Sequence, residues 1–507
     1  MKFFTLLLTL FLFSFCAIAQ IAPDFSIEKA GYSKPTPPTN SISNMDDYYP
    51  YVLMGTSSGL FKYGYAGFEN VATGFSDLDT KGIYTVSGSG KMVFLATGEI
   101  RNKGGADVTT GVAYGVSSDS MKTWSQINLP LDKRTDDTLY FGSDTIPTLP
   151  VVVPEQFVTY DSEISGDTIW VSTWSGGIRR SNDAGKIWSR VLLPPDDRDY
   201  ISPDSSYYFY YSPVDEKTGL ARGGGDLNFL GFSVHKTASG VLWAGTAGGI
   251  NKRYQSDGWI KYTHSPLSTT IPGNWIVGIG SHTFKGKERV WAICWRAVGS
   301  SEDNGLAFTE DNGSTWTRTL EGEKIYDFAF QGDSVLAAGQ NGIFYSTDGI
   351  RWGFRSNFSD PVSKNIIPST QFFSSTWSSI TKNWIVGTGQ GLLISKSSDF
   401  FGKNDWSILR KNARDNESGT FAYPNPFSPD DDRYCRFSYP ESASATLSIF
   451  SNDHLLVRKV EPVFPGSSNE ILWDGRDNFG NRLSNGVYLY QIKTNGNEFW
   501  GKLLILE

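Results

Sequence analysis

The sequence predicts an all-β protein, on three observations. A unit of buried strand, tight turn and second strand recurs along most of the 507 residues. Gly and aromatic side chains are abundant, with 53 Gly, 33 Phe, 24 Tyr and 16 Trp. No long stretch carries the apolar period of a helix. The recurring unit is clearest in Val52-Leu-Met-Gly-Thr-Ser-Ser-Gly-Leu60, Leu242-Trp-Ala-Gly-Thr-Ala-Gly-Gly-Ile250 and Trp384-Ile-Val-Gly-Thr-Gly-Gln-Gly-Leu392. Looser copies begin at Ile169 and Val335, and weaker ones at Val93 and Val290. About seven units spaced by roughly 45 residues, where no insertion intervenes, match the period of a four-stranded propeller blade. Residues 45–410 are therefore expected to form one seven-bladed β-propeller.

In chain order, Lys2 precedes an apolar run, 3–19, that is short of the roughly 20 residues needed to span a bilayer. Ala17 and Ala19 before Gln20 satisfy the small-x-small rule for signal peptidase. Residues 1–19 are thus expected to be a signal peptide, and no transmembrane anchor is expected. Residues 20–44, with Pro35, Pro37 and Pro38, read as an extended leader, and 411–420 as a charged linker.

Within the repeats a second motif follows the first. Thr309-Glu-Asp-Asn-Gly-Ser-Thr-Trp316 and Ser181-Asn-Asp-Ala-Gly-Lys-Ile-Trp188 fit S/T-x-D-x-G-x-x-W, and Ser117 to Trp124 fits except for Met121 at the glycine position. Ser346 to Trp352 is one residue short, and Ser397 to Trp406 carries an insertion. The expected logic is local. The carboxylates of Asp119, Asp183, Asp311 and Asp348 accept bonds from their turns, Gly185 and Gly313 take positive φ, and Trp124, Trp188, Trp316 and Trp352 pack between blades. These turns resemble the Asp-boxes (BNR repeats) of sialidases and sortilin-type receptors, where the motif marks the fold and is seldom catalytic.

Residues 421–507 alternate polar and apolar positions with period 2, broken by Gly, Pro, Asn and Asp, as an antiparallel sandwich requires. Their landmarks are Tyr423-Pro-Asn-Pro-Phe427, Ala445-Thr-Leu-Ser-Ile-Phe450, Leu472-Trp-Asp-Gly-Arg-Asp477, Asn485-Gly-Val-Tyr-Leu-Tyr490 and Lys502-Leu-Leu-Ile-Leu506. In this order and spacing they resemble the C-terminal sorting domain of type 9 secretion substrates, which is similar to the immunoglobulin-like domain of flagellar hook-capping proteins. The resemblance implies a small immunoglobulin-like β-sandwich and a partner in the outer-membrane secretion machinery. With the signal peptide, it implies a bacterial protein that is secreted or displayed on the cell surface.

A net charge of −8 argues against nucleic acid and anionic membrane as partners. Cys16 leaves with the signal peptide, and Cys294 and Cys435 fall in different domains, so no disulfide framework is expected. The four histidines form no metal-spaced pair, and nothing reads as a nucleotide cradle; neither metal nor cofactor is expected. Gly55-Thr-Ser-Ser-Gly59 matches a nucleophile elbow on paper, but the equivalent turns have no serine and no helix follows.

The long connections all fall on the face shared by B–C turns and D–A links, counting strands A to D outward from the axis. Arg101 and Arg296 begin two of these B–C segments, and Trp174 and Trp295 stand in B–C turns. The D–A link 194–228 carries Tyr207, Tyr208, Tyr210 and Tyr211. Aromatic-rich loops on a rigid scaffold suit sugars or peptides. The expected work is binding of a polysaccharide, glycoconjugate or surface protein. The alternatives are a secreted glycoside hydrolase, with Arg101, Arg222 and Arg296 converging on a carboxylate, or a structural envelope scaffold.

Overall fold

The computed structural model describes residues 37, 39–213, 226–254, 257–297, 301–360, 366–367, 369–395, 406–410, 420–429, 434–439, 445–461, 470–494 and 496–506. Outside them lie the signal run with Ala17, Ala19 and Gln20, most of the leader, Arg222, the linker 411–419 and the imperfect box beginning at Ser397.

Among the described residues, 42–409 form seven antiparallel sheets, each built on a meander of four strands from one stretch of chain, the fourth with a fifth strand at its outer edge, and two short two-stranded ribbons, Thr138–Phe141 with Asp144–Pro147 and Phe358–Ser359 with Ile366–Ile367. Their inner strands are Ile42–Tyr48, Gly82–Ser89, Thr159–Ser165, Gly231–Lys236, Trp275–Phe284, Ile325–Gln331 and Phe372–Ser378. Each inner strand packs beside the next, and that of sheet 7 meets that of sheet 1, which closes a ring around an axial channel. The first of these strands begins at Ile42, inside the segment read from sequence as leader.

The Gly-Thr repeat has a physical cause. Thr56, Thr173, Thr246 and Thr388 each end a second strand, and their hydroxyls donate across the B–C turn to the carbonyls of Gly59, Gly177, Gly249 and Gly391. Those glycines open the third strand with φ between +66° and +136°, a region closed to most L-residues. The apolar residues before the Thr form the second strand, which is buried on both faces in every sheet: Val52, Val93, Val171, Trp243, Trp291, Leu336 and Ile385 are all fully enclosed.

Every inner strand carries one β-bulge near its start, at Ser43, Tyr84, Tyr160, Phe232, Val277, Tyr326 and Phe373. A bulge re-aims a side chain and leaves its residue outside the ladder. The next residue then links neighbouring sheets. Asn44 Oδ1 accepts from Val86 N, Asp161 Oδ2 from Val234 N and Asp327 Oδ2 from Ser375 N, while Ser233 and Ser374 donate to Ile276 O and Ile42 O. Sheets 1 and 7 are also joined by Ser379 N donating to the Asp47 carboxylate and Tyr65 OH to Ile380 O.

Beyond the ring, a three-stranded sheet (Phe421–Tyr423, Cys435–Ser438, Glu470–Trp473) faces a four-stranded one (Leu456–Val460, Thr446–Phe450, Gly486–Lys493, Glu498–Ile505). Phe427, Phe437, Leu447, Trp473, Tyr490 and Leu503 fill the single core they share. Arg410, just after the last strand of sheet 7, joins the two parts: Nε donates to Gln390 O, and Nη1 lies 3.2 Å from Glu470.

Candidate functional site

The bulges decide what lines the channel. Ser43, Tyr84, Tyr160, Val277, Tyr326 and Phe373 all face a cavity of about 420 Å³ on the axis. They sit near the start of their strands, on the side of the B–C turns, where they make two aromatic arcs. In one, Phe232 is the hub, with Tyr160, Trp174 and Trp275 at 5.7, 5.5 and 5.7 Å between ring centroids. In the other, Trp295, Tyr326 and Phe373 follow one another at 5.8 and 5.4 Å. Trp295 is fixed by its Nε1 donating to Ile325 O, and Lys324 Nζ lies 4.2 Å from its ring centroid.

Deeper in the channel the lining turns acidic, with Asp46, Asp161, Glu163 and Asp327. Burial pushes Asp161 up to about 8 against the N–H bonds of Val234 and Ser162, with Glu163 and Asp327 adding repulsion. Burial likewise carries Asp46 and Asp327 to about 7. At the far end His235 Nδ1 lies 3.2 Å from Glu163 Oε2, and its Nε2 lies 2.8 Å from Ser281 Oγ.

The residues singled out from sequence fall into three groups. Trp174 and Trp295 belong to the aromatic arcs, and neither stands alone. Arg101 is exposed on the long hairpin of sheet 2 and paired with Glu99, while Arg296 is exposed on sheet 5 with its N–H bonded to Asn304. The tyrosine run lies elsewhere, and two of its members are a correction to the expected ligand surface. Tyr211 is 3% exposed, its hydroxyl donating to Asn228 O and its N–H to Pro147 O. The Tyr207 hydroxyl accepts from Ser202 N, its N–H donates to Asp144, and Arg198 covers its ring. Both fasten the insertion to its neighbours. Tyr210 is half-buried, and only Tyr208, at 93% exposure, is fully open in this run. The insertion itself adds Tyr200–Ile201 to the outer edge of sheet 4, away from the axis.

The four box turns share one pattern at the C–D connections. Asp119 Oδ1 accepts from Lys122 N and Thr123 N, and Asp183 Oδ1 from Lys186 N and Ile187 N. Asp311 takes Thr315 N, and Asp348 takes Ile350 N and Arg351 N. Gly185 and Gly313 have φ of +87° and +92°, and Met121, which replaces a glycine, is held at +66°. Trp188 packs on Tyr114, Trp316 on Trp243 and Trp352 on Trp291, each a residue of the preceding sheet, while Trp124 packs into the core between sheets 1 and 2.

The channel residues escaped the sequence reading because inner strands share no motif: the bulge position holds Ser, Tyr, Phe or Val. No three His, Cys, Asp or Glu side chains converge as a metal site would require, among the described residues. No helix there is long and apolar enough to cross a membrane.

No family model matches this sequence, and no curated protein does. Solved structures are similar in shape. The GH74 enzyme of Niastella koreensis superposes with a TM-score of 0.50 at 10% identity, covering 94% of this chain and 74% of that one. The ring of this chain is a β-propeller. Two further structures share less: YCF48 from Cyanidioschyzon merolae, with a TM-score of 0.42, 18% identity, 71% of this chain and 97% of that one, and PorZ, a surface component of the type-IX secretion system of Porphyromonas gingivalis, with a TM-score of 0.36, 12% identity, 92% of this chain and 75% of that one. At these identities the likeness is one of propeller architecture alone.

Proposed function

We propose that this is an exported bacterial surface protein whose seven-bladed, Asp-box propeller binds a glycan at the aromatic mouth of its channel. In this reading residues 421–507 are an immunoglobulin-like sorting module that hands the chain to a type 9-like secretion machinery. The observation that carries the binding role is that two aromatic arcs, one centred on Phe232 and the other running Trp295-Tyr326-Phe373, place Tyr160, Tyr326 and Phe373 in the lining of a cavity of about 420 Å³. Aromatic faces pack against the apolar C–H faces of sugar rings, and the polar wall below supplies hydroxyl partners. Tyr160 keeps 38% of its surface open, so its ring is available without rearrangement.

The test is a glycan and polysaccharide array with the chain from residue 20 onward, followed by calorimetric titration of any hit. Binding should weaken about tenfold or more in Tyr160→Ala and Tyr326→Ala, and stay unchanged in Tyr208→Ala, because Tyr208 lies on the insertion. Silence on the array, or equal binding by all three variants, would remove the mouth as the site and favour a protein partner.

A further inference from the structure

We propose that the opposite end of the channel holds a serine hydrolase site made of Ser281, His235 and Glu163. The three residues come from the inner strands of sheets 5, 4 and 3, close to where those strands end and about 10 Å along them from the bulge residues of the aromatic mouth. Ser281 Oγ lies 2.8 Å from His235 Nε2, and His235 Nδ1 lies 3.2 Å from Glu163 Oε2. This is the relation a nucleophile, its base and the group that orients the base must have, and it is recognised by geometry whatever the fold.

The same layer of the ring shows why the arrangement is more than a fastening. Asp46 accepts from Gly88 N, and Ser87 donates to Ser162 O: in both, a side chain meets the backbone of the next sheet. Glu163 also does this, through Lys236 N, yet keeps His235 beside the same oxygen. Ser87 and Ser162 also meet hydroxyl to hydroxyl in this layer, but His235 meets its hydroxyl through an imidazole whose other nitrogen faces a carboxylate. The His235 and Glu163 side chains are 24% and 22% exposed and line the cavity, and Ser281, half-buried, lies beside His235 just beyond that lining.

The substrate class is an ester of a short acyl group. Ser281 Oγ attacks the carbonyl carbon as its proton passes to His235 Nε2. The bond from that carbon to the alcohol oxygen breaks, and the same proton goes to the leaving alkoxide. Water then adds to the acyl-serine, again through His235, and the Oγ–C bond breaks to release the acid. Glu163 touches no substrate: it is a positioning residue that holds the imidazole with Nε2 toward Ser281.

A fluorophosphonate probe, which forms an Oγ–P bond and expels fluoride, tests the site on the chain from residue 20 onward by intact mass. One label per chain, located on Ser281 by peptide mapping, is expected. Ser281→Ala should abolish it, and Ser87→Ala, a serine of the same layer with no imidazole, should leave it unchanged. His235→Gln keeps an amide to bond Ser281 and removes the base; labelling should slow at least about a hundredfold. Glu163→Gln should slow it about tenfold or more, with partial recovery in Glu163→Asp, a rescue that a purely cohesive role would not give. Absence of labelling, or labelling that survives Ser281→Ala or His235→Gln, overturns the proposal whatever the outcome at the aromatic mouth.

Discussion

Arg410 and Glu470, 60 residues apart in the chain, meet at 3.2 Å and lock the last sheet of the propeller to the C-terminal sandwich. Arg436 reaches the same carboxylate at 2.6 Å, and Tyr423 completes the group through its hydroxyl. Both arginines are only 3% exposed, so the Glu470 carboxylate is shared by two enclosed guanidiniums.

Removing that carboxylate is expected to be severe. Glu470→Leu leaves two buried cations facing each other, a loss of about 3–5 kcal/mol, read by urea unfolding of the whole chain. Burial alone would raise the Glu470 carboxyl, but Arg436 and Arg410 outweigh it and hold it below its usual value. A depressed folded value means the contribution is present above the unfolded pKa of about 4.3 and is lost as pH falls through the folded value. The acid limb of the melting profile should therefore be shallower in Glu470→Leu than in the parent chain.

The channel carboxyls have the opposite sign. Asp161, at about 8, and Asp46 and Asp327, at about 7, lie above the unfolded value, so the folded state binds their protons more tightly. Their cost accumulates as pH rises from the unfolded pKa of about 3.9 to those folded values. Melting temperature should fall between pH 5 and pH 8, and Asp161→Asn, which keeps an acceptor for Val234 N, should flatten part of that fall. An unchanged slope in Asp161→Asn would show that water enters the channel freely enough to solvate the charge.

The box turns allow a reciprocal experiment. A Cβ at Gly313 would stand 2.7 Å from the Tyr262 ring with φ at +92°, so Gly313→Ala should cost about 1–3 kcal/mol in thermal or urea unfolding. Met121 already occupies the left-handed region, so Met121→Gly should be close to neutral, the relief of about 1 kcal/mol offset by lost apolar contact with the core between sheets 1 and 2.

Export is testable separately from binding. Deleting residues 421–507 should leave the propeller inside the cell envelope, with extracellular material falling to background by immunoblot of culture medium and surface fractions. Undiminished release would assign the sandwich a purely structural task.

Repetition made most of the fold legible. Thr56, Thr246 and Thr388 stand out in the sequence because the same hydroxyl-to-carbonyl bond closes each of their B–C turns. Asp183 and Asp311 stand out because their turns close through the same N–H bonds. Of the aromatic arcs, Trp174 and Trp295 were singled out because their turns are recognisable in the sequence. Tyr160, Phe232 and Tyr326 were not, because the bulge constrains the backbone and leaves the side chain free to vary. Ser281 and His235 lie 46 residues apart with no spacing rule between them, and only the ring's curvature brings their strands together. The tyrosine run misled for the converse reason: composition signals aromatic density and is silent on whether a hydroxyl such as that of Tyr211 is already spoken for.

Each propeller sheet is built from one stretch of chain, and among the described residues sheets 1 and 7 meet through side chains, packing and a backbone bond from Gly391 N to Asn40 O, with no strand exchanged between them. A chain entering a compartment from its amino end can therefore complete one meander before the next arrives, with local contacts forming at every step. The final event is the seating of sheet 7 against sheet 1, where Ser374 finds Ile42 and Ser379 finds Asp47. Arg410 bonds Gln390 of sheet 7 and Glu470 of the sandwich and nothing in sheet 1, so the lock on the sandwich and the closure of the ring use separate contacts of the same sheet.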